Sequence, residues 1–298
     1  MKSERTAVMK FSALGDIART LPFLRELGSE TCIITSPMGK AFLEDEFSDF
    51  IVLPSKSTIS HLRLIQTIRK RKFDHIIDLQ GNDRCRFFNK IVETSSSTQI
   101  HNGYDSKSKY RAFSKLAAHT WTAAKKKLTF VPKPHDYIVL NTGSSPKWAA
   151  KRPPAHKWKA FAHTLTETYG LPFKLTGSAD ELDFVNSIAK ELTEEVEVLA
   201  GKTSLAELKP VLKNAFLVVS TDSAAMHIAA AEKTPVIGLF GSTSTAYLPN
   251  YPWCHALHDP IYYPDGKLPQ CTGKIGPYYD HIDIEAGINA LADYLPAK

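Results

Sequence analysis

The 298-residue sequence lacks any apolar run approaching the roughly 20 residues that span a bilayer, which excludes a transmembrane helix. Its opening, Met1-Lys2-Ser3-Glu4-Arg5, leads straight into the short run Ala7 to Phe11. A secretory leader needs a longer apolar stretch and a small-residue cleavage site, so a cytoplasmic protein is expected. Cysteine is scarce: Cys32, Cys85, Cys254 and Cys271 form no C-x-x-C pair. That argues against a zinc site or a thioredoxin-type motif and leaves four unrelated thiols in a reducing compartment. No G-x-G-x-x-G follows the first strand, and neither G-x-S-x-G nor H-E-x-x-H occurs, so the dinucleotide, hydrolase-elbow and zincin readings fall away. Gly201-Lys202-Thr203 looks like the end of a phosphate-binding P-loop, but the position of its first glycine is held by Val196.

What is present is a chain long enough for two domains, with 43% apolar and 23% charged residues. The net charge of +6 is uneven: residues 1–130 hold 22 Lys+Arg against 13 Asp+Glu, and residues 131–298 hold 15 against 18. A basic front half suits an anionic partner, whether a phosphorylated sugar, a membrane surface or nucleic acid. Aromatic residues are not interleaved with the basic ones as base-stacking platforms would be, which argues against nucleic acid.

Strand and helix signals alternate along the chain. Apolar runs at 7–11, 31–35, 51–53 and 75–78 read as strands, with helices expected at 16–27, 40–47, 60–71 and 84–93. A basic, partly helical segment follows at 107–127. The pattern breaks at Val131-Pro132-Lys133-Pro134, an extended linker by its prolines. It restarts with strands at 137–140, 173–176, 196–199, 217–220 and 235–240. Helices are expected between them at 154–169, 181–192, 204–213 and 224–232, with a last one at 284–295. The expected organisation is α/β: Rossmann-like domains at 1–131 and 132–298, the last helix packing back on the first. Ligands are then expected beyond the carboxyl ends of the strands, in a central cleft that both domains face.

Four turns carry groups suited to such a ligand. Asp16, in Ser12-Ala13-Leu14-Gly15-Asp16, lies where a strand yields to a helix; it is either a helix cap or a carboxylate placed to take a proton. Asp222-Ser223-Ala224-Ala225-Met226-His227 leads from a strand into an alanine-rich helix, whose free amides suit a phosphate; an ordinary βα turn is the plainer reading. Thr142, Gly143, Ser144 and Ser145, with Lys147, Lys151 and Trp158 downstream, again suit phosphates, although solvated lysines would look the same. Glu181, in Gly177-Ser178-Ala179-Asp180-Glu181, either holds ribose hydroxyls or belongs to a capped, acidic first turn.

Taken together these blocks resemble glycosyltransferase family 9, the heptosyltransferases. The resemblance rests on Ser12 to Asp16 followed by Thr20-Leu21-Pro22, on Asp78-Leu79-Gln80-Gly81, and on Lys151-Arg152-Pro153-Pro154 with Trp158. It rests further on Gly201 to Leu205, and on Asp222 to His227 followed by Pro235 to Gly241. Five blocks stand in order between residue 8 and about residue 245. The family pattern carries serine, tryptophan and glycine where this chain has Ala13, Pro153 and Ala224, and residues 247–282, with Tyr262-Tyr263-Pro264 and Pro277-Tyr278-Tyr279, match no block. The resemblance implies a GT-B fold and inverting transfer of a sugar, usually from ADP-heptose, with no cofactor or metal. It implies Asp16 as general base, and Thr142, Lys151 and the amides of Ala224 to His227 at the donor diphosphate. Glu181 would hold the ribose, Thr203 would lie near the base, and Asp222 would orient the donor and cap the helix. An anionic, lipid-linked core sugar is the implied acceptor, met by Arg63, Arg84, Arg86, Lys107, Lys109 and Arg111 at a peripheral position on the inner membrane face. Each of these cations also fits a solvated basic surface.

Overall fold

The computed structural model describes residues 5–80, 96–97, 129–130, 135–263 and 276–295. The expected helix at 84–93, the segment at 107–127, the linker prolines, and Arg84, Arg86, Lys107, Lys109 and Arg111 lie outside them. The chain separates into two compact units, Met1–Thr129 and Phe130–Lys298.

The first unit is built on a five-stranded sheet of β1 (Thr6–Met9), β2 (Cys32–Thr35), β3 (Phe50–Val52), β4 (His75–Asp78) and β5 (Ser96–Ser97). All pairings are parallel, in the order β3-β2-β1-β4-β5. Ala7, Val8 and Met9 are all buried, as are Ile33 and Ile34, so both faces are covered and the strands read as continuous apolar runs. The expected helix over 16–27 is two: α1 (Leu14–Ala18) and α2 (Leu21–Leu27). Pro22 causes the break, because its ring has no N–H and would clash with the carbonyl of Ala18 one turn back. Asp16 lies in the first turn of α1; the N-cap residue is Ala13, whose amide the Asp16 carboxylate accepts. Helices α3 (Pro37–Leu43) and α4 (Thr58–Arg71) follow, each opened by a serine, Ser36 or Ser57, whose hydroxyl accepts a first-turn amide.

The second unit has six parallel strands: β6 (Ile138–Asn141), β7 (Phe173–Thr176), β8 (Val196–Val198), β9 (Leu217–Thr221), β10 (Val236–Phe240) and β11 (Cys254–His258). Their order is β11-β10-β9-β6-β7-β8. The connecting helices are α5 (Ala155–Tyr169), α6 (Leu182–Ala189), α7 (Leu205–Lys213) and α8 (Ala224–Ala231), and α9 (Ile284–Ala290) closes the chain. Helix α5 shows why these segments are helical. It starts after Pro153-Pro154, buries Trp158, Phe161, Ala162 and Leu165 along one stripe, and ends at Gly170 with φ +62°. Trp158, singled out above beside a phosphate turn, is instead a core residue with no exposed surface. Burying a side chain of that size contributes roughly 2–3 kcal/mol.

The last helix contributes to the core of the second unit. Ile284, Ile288 and Leu291 join the same cluster as Trp158 and Phe173. The unmatched stretch after residue 247 supplies the edge strand β11 and Tyr278, Tyr279 and Ile282 of that core.

In both sheets the chain steps first to one side of its opening strand and then to the other. The switch points lie between β1 and β4 and between β6 and β9. At such a point the loops beyond the strand ends diverge and leave room for a ligand.

Candidate functional site

At the β6–β9 switch point, register pairs Asn141 with Ser220, so the two chains leave the sheet side by side. Asn141 is buried and anchors both exits. Its Nδ2 donates to Ser220 Oγ at 3.2 Å and Ser223 Oγ at 2.8 Å, and its Oδ1 accepts from Thr176 Oγ1 at 3.1 Å. Thr221 Oγ1 donates to the Gly143 carbonyl at 2.5 Å, tying the turns together. Ser223 is the N-cap residue of α8, yet its hydroxyl caps nothing, because Asn141 holds it. The first-turn amides of α8 thus have no side-chain cap, which is the arrangement that receives an anion.

The Asp222 carboxylate, expected to cap α8, is turned to Lys151. The Nζ stands 2.8 Å from Oδ2 and 3.2 Å from the Asp222 carbonyl oxygen. Lys151 ends the 3-10 turn Pro146–Lys151 and also lies 5.6 Å from the centroid of the half-exposed Trp148 ring. The turn is braced by Ser144, whose Oγ donates to the Trp148 carbonyl and whose carbonyl accepts from the Arg152 guanidinium. Ser144 is therefore committed to the fold. Thr142 differs: it is fully buried, and its Oγ1 has no hydrogen-bond partner among the described residues. Buried hydroxyls are seldom left so, which makes Thr142 a candidate for contact with a ligand.

Ala225 and Met226 are buried into the unit, Met226 against Gly238, and His227 is buried on α8. What Ala225 and Met226 can offer a ligand is backbone amide. Ala224, half-exposed, takes the first position of α8.

After β7, Glu181 is both a cap and an open acceptor. Its Oε2 accepts from the Ser178 amide at 2.6 Å and from Ser178 Oγ at 2.8 Å. The other oxygen, Oε1, has no hydrogen bond among the described residues and faces Gly143, where a β-carbon would lie 2.7 Å from it. After β8, Gly201 adopts φ +69° and passes over Ala179. Ser204 then opens α7, exchanging hydrogen bonds with Glu207, and the half-buried Thr203 immediately precedes it.

At the other switch point, Gln80 after β4 reaches across to the loop after β1. Its Oε1 accepts from the amides of Phe11 at 3.0 Å and Ser12 at 3.1 Å. Asp78, fully buried, accepts the Gln80 amide at 2.8 Å and shapes that turn. Asp16, about a third exposed, is flanked by two nearly buried cations: Arg19 Nη1 at 3.4 Å and Lys10 Nζ at 3.9 Å. Its Oδ2 also accepts the Ala13 amide at 3.3 Å. These contacts hold the carboxylate in one place beside the exposed Ser12 and Ala13. Arg63 is exposed on α4, and its guanidinium is unpaired among the described residues.

Sequence reasoning passed over Asn141, Thr221, Lys10 and Arg19, and quoted Gln80 without a role. Asn141, Thr221 and Gln80 have partners in distant segments, so no local pattern marks them, whereas Lys10 and Arg19 lie within six residues of Asp16 and could have been read beside it. Among the described residues no three or more of His, Cys, Asp and Glu gather to hold a metal ion, and no helix is long and apolar enough to cross a membrane.

The model of glycosyltransferase family 9 (heptosyltransferase) matches residues 102–258, more than half of the chain. The chain belongs to glycosyltransferase family 9. Among its relatives, a lipopolysaccharide heptosyltransferase 3 of Escherichia coli is 31% identical over 191 residues, covering 63% of this chain and 52% of the relative. The family 9 chain thus spans about half the length of the curated relatives it matches. A family 9 glycosyl transferase of Veillonella parvula DSM 2008 shares the fold, with a TM-score of 0.69, 19% identity, and coverage of 98% of this chain and 97% of that one. The structure of E. coli heptosyltransferase WaaC with ADP-2-deoxy-2-fluoro heptose gives a TM-score of 0.63 at 19% identity, over 90% and 96% of the two chains. The fold is GT-B, with two sheets of parallel strands.

Proposed function

We propose that this family 9 member is an inverting glycosyltransferase that moves heptose from ADP-heptose to a hydroxyl of an inner-core lipopolysaccharide acceptor, a lipid A bearing Kdo or heptose. The observation that carries the reading is the β6–β9 switch point. There an uncapped helix start, a buried threonine hydroxyl without a partner among the described residues, and an ammonium fixed on Asp222 stand together. Those groups suit a diphosphate that must leave. The names of the E. coli relative and of the WaaC complex favour heptose and adenine as the rest of the donor.

In this reading the ADP portion lies along the second sheet, diphosphate at Thr142, Lys151 and the α8 amides, ribose at Glu181 Oε1, base toward Thr203. Asp16 takes the proton of the acceptor hydroxyl as its oxygen bonds to the anomeric carbon. The bond from that carbon to the β-phosphate oxygen breaks, and its electron pair leaves with ADP. A single displacement from the opposite face inverts the anomeric centre. Lys151 and the amides stabilise the leaving charge, and turnover is expected to survive EDTA. The positive excess of residues 1–130, Arg63 included, suits an anionic acceptor presented at a membrane surface.

The test is ADP release from ADP-heptose on a Kdo–lipid A acceptor, with calorimetry of ADP, UDP, GDP and CDP alongside. ADP is expected to bind best, and Asp16→Ala to retain ADP affinity while losing about 10²–10⁴-fold in turnover. Wild-type turnover by that variant would remove Asp16 from the base role. A second reading, another nucleotide sugar, is favoured by Ala224, whose methyl stands at the first position of α8; preference for UDP, GDP or CDP would establish it.

A further inference from the structure

Thr243 lies in the loop after β10, only 6% exposed, and its Oγ1 is shielded from solvent without a hydrogen-bond partner among the described residues. It shares this property with Thr142, and strand order relates the two. In β10-β9-β6, the turn Asp222–Ala225 leaves the central strand, Thr142 follows β6 on one flank, and Thr243 follows β10 on the other. All the strands are parallel, so these loops emerge at one edge of the sheet. The Thr243 loop is also braced. Tyr279, nearly buried, packs on Gly241 so closely that a β-carbon there would lie 2.3 Å from the ring, and Ser244 Oγ accepts the Ala246 amide.

The inference rests on the donor reading above. That reading places base, ribose and diphosphate at the exits of β8, β7 and β6–β9, successive steps across the sheet of about 4.8 Å each. A nucleoside diphosphate sugar is a linear chain of those groups ending in the sugar. Continued one strand further, it brings the sugar over the exit of β10. We propose that Thr243 Oγ1 hydrogen-bonds a hydroxyl of the transferred sugar and so selects the donor's sugar, not its nucleotide. A threonine hydroxyl both donates and accepts, which matches a sugar hydroxyl, and a shielded site penalises a donor that leaves it unpaired.

The experiment is calorimetric titration of wild type, Thr243→Val and Thr243→Ser with ADP and with ADP-heptose, with urea unfolding of each. The hydroxyl has no partner among the described residues, so the valine variant is expected to unfold at the wild-type midpoint. It is expected to bind ADP within twofold of wild type and ADP-heptose about tenfold more weakly, with serine restoring most of the difference. Unchanged ADP-heptose affinity in Thr243→Val would overturn the proposal, and an equal loss for ADP and ADP-heptose would do so by placing Thr243 at the diphosphate. Wild-type protein that binds neither nucleotide would overturn the donor reading itself, and this inference with it.

Discussion

Lys151 Nζ lies 2.8 Å from Asp222 Oδ2, with both side chains largely withdrawn from solvent at 17% and 10% exposed. The pair joins the 3-10 turn after β6 to the turn after β9. Lys151→Ala is expected to lower turnover about 10²–10³-fold, as when one donor to a developing negative charge is removed. Asp222→Asn keeps an acceptor oxygen for Lys151 but loses the charge. A double-mutant cycle in turnover should show strong coupling, because either change alone unseats the other. Additive losses would mean that the two act separately.

Gln80 holds the loop before Asp16 through the amides of Phe11 and Ser12, so in the proposed reaction it would position the base. Gln80→Ala leaves the amides of Phe11 and Ser12 unpaired and should cut kcat about tenfold, with ADP affinity unchanged. Gln80→Glu retains an acceptor oxygen for both amides and should recover much of the loss. If both variants fail equally, the loop is not held through that oxygen.

The two parallel sheets were legible because strands such as Leu217–Thr221 and Val236–Phe240 are buried throughout and carry short apolar runs, Leu217-Val218-Val219 and Val236 to Phe240. The edge strand Cys254–His258 was not, since partial exposure lets two histidines interrupt it. Asp16, Lys151 and Glu181 stood out because charge after a strand is a local signal. Asn141 gave none: its partners Ser220 and Ser223 lie 79 and 82 positions away. Trp158 misled because a core tryptophan one turn into a helix has the same spacing as one placed for a ligand.

Asp259, fully buried after β11, gathers the segment beyond it. It accepts the amides of Ile261, Tyr262 and His281 at 3.0–3.1 Å and the His281 ring at 2.9 Å. Burial opposes its charge, but those donors outweigh burial and hold its carboxyl below the usual range. A depressed folded-state value stabilises at all pH above the unfolded value of 3.8 and is lost as pH falls through the folded one. Asp259→Asn should therefore cost stability above about pH 5, by about 1–3 kcal/mol in urea unfolding, and the difference should shrink in acid. A gap that narrows near neutral pH would assign the effect to another group.

Gly143 has no side chain, and that lets Glu181 approach. A β-carbon at residue 143 would lie 2.7 Å from Oε1 and 2.9 Å from the carboxyl carbon, while Oε2 is pinned by Ser178. Gly143→Ala must therefore turn the carboxylate away or break the Ser178 contacts. If Glu181 holds the ribose, Gly143→Ala should weaken ADP binding about tenfold, and 2′-deoxy-ADP should bind wild type and variant more nearly alike. Glu181→Gln, which keeps the shape and one acceptor oxygen, should lose less than Gly143→Ala. An alanine variant that binds ADP as tightly as wild type would show that Glu181 only caps its own turn.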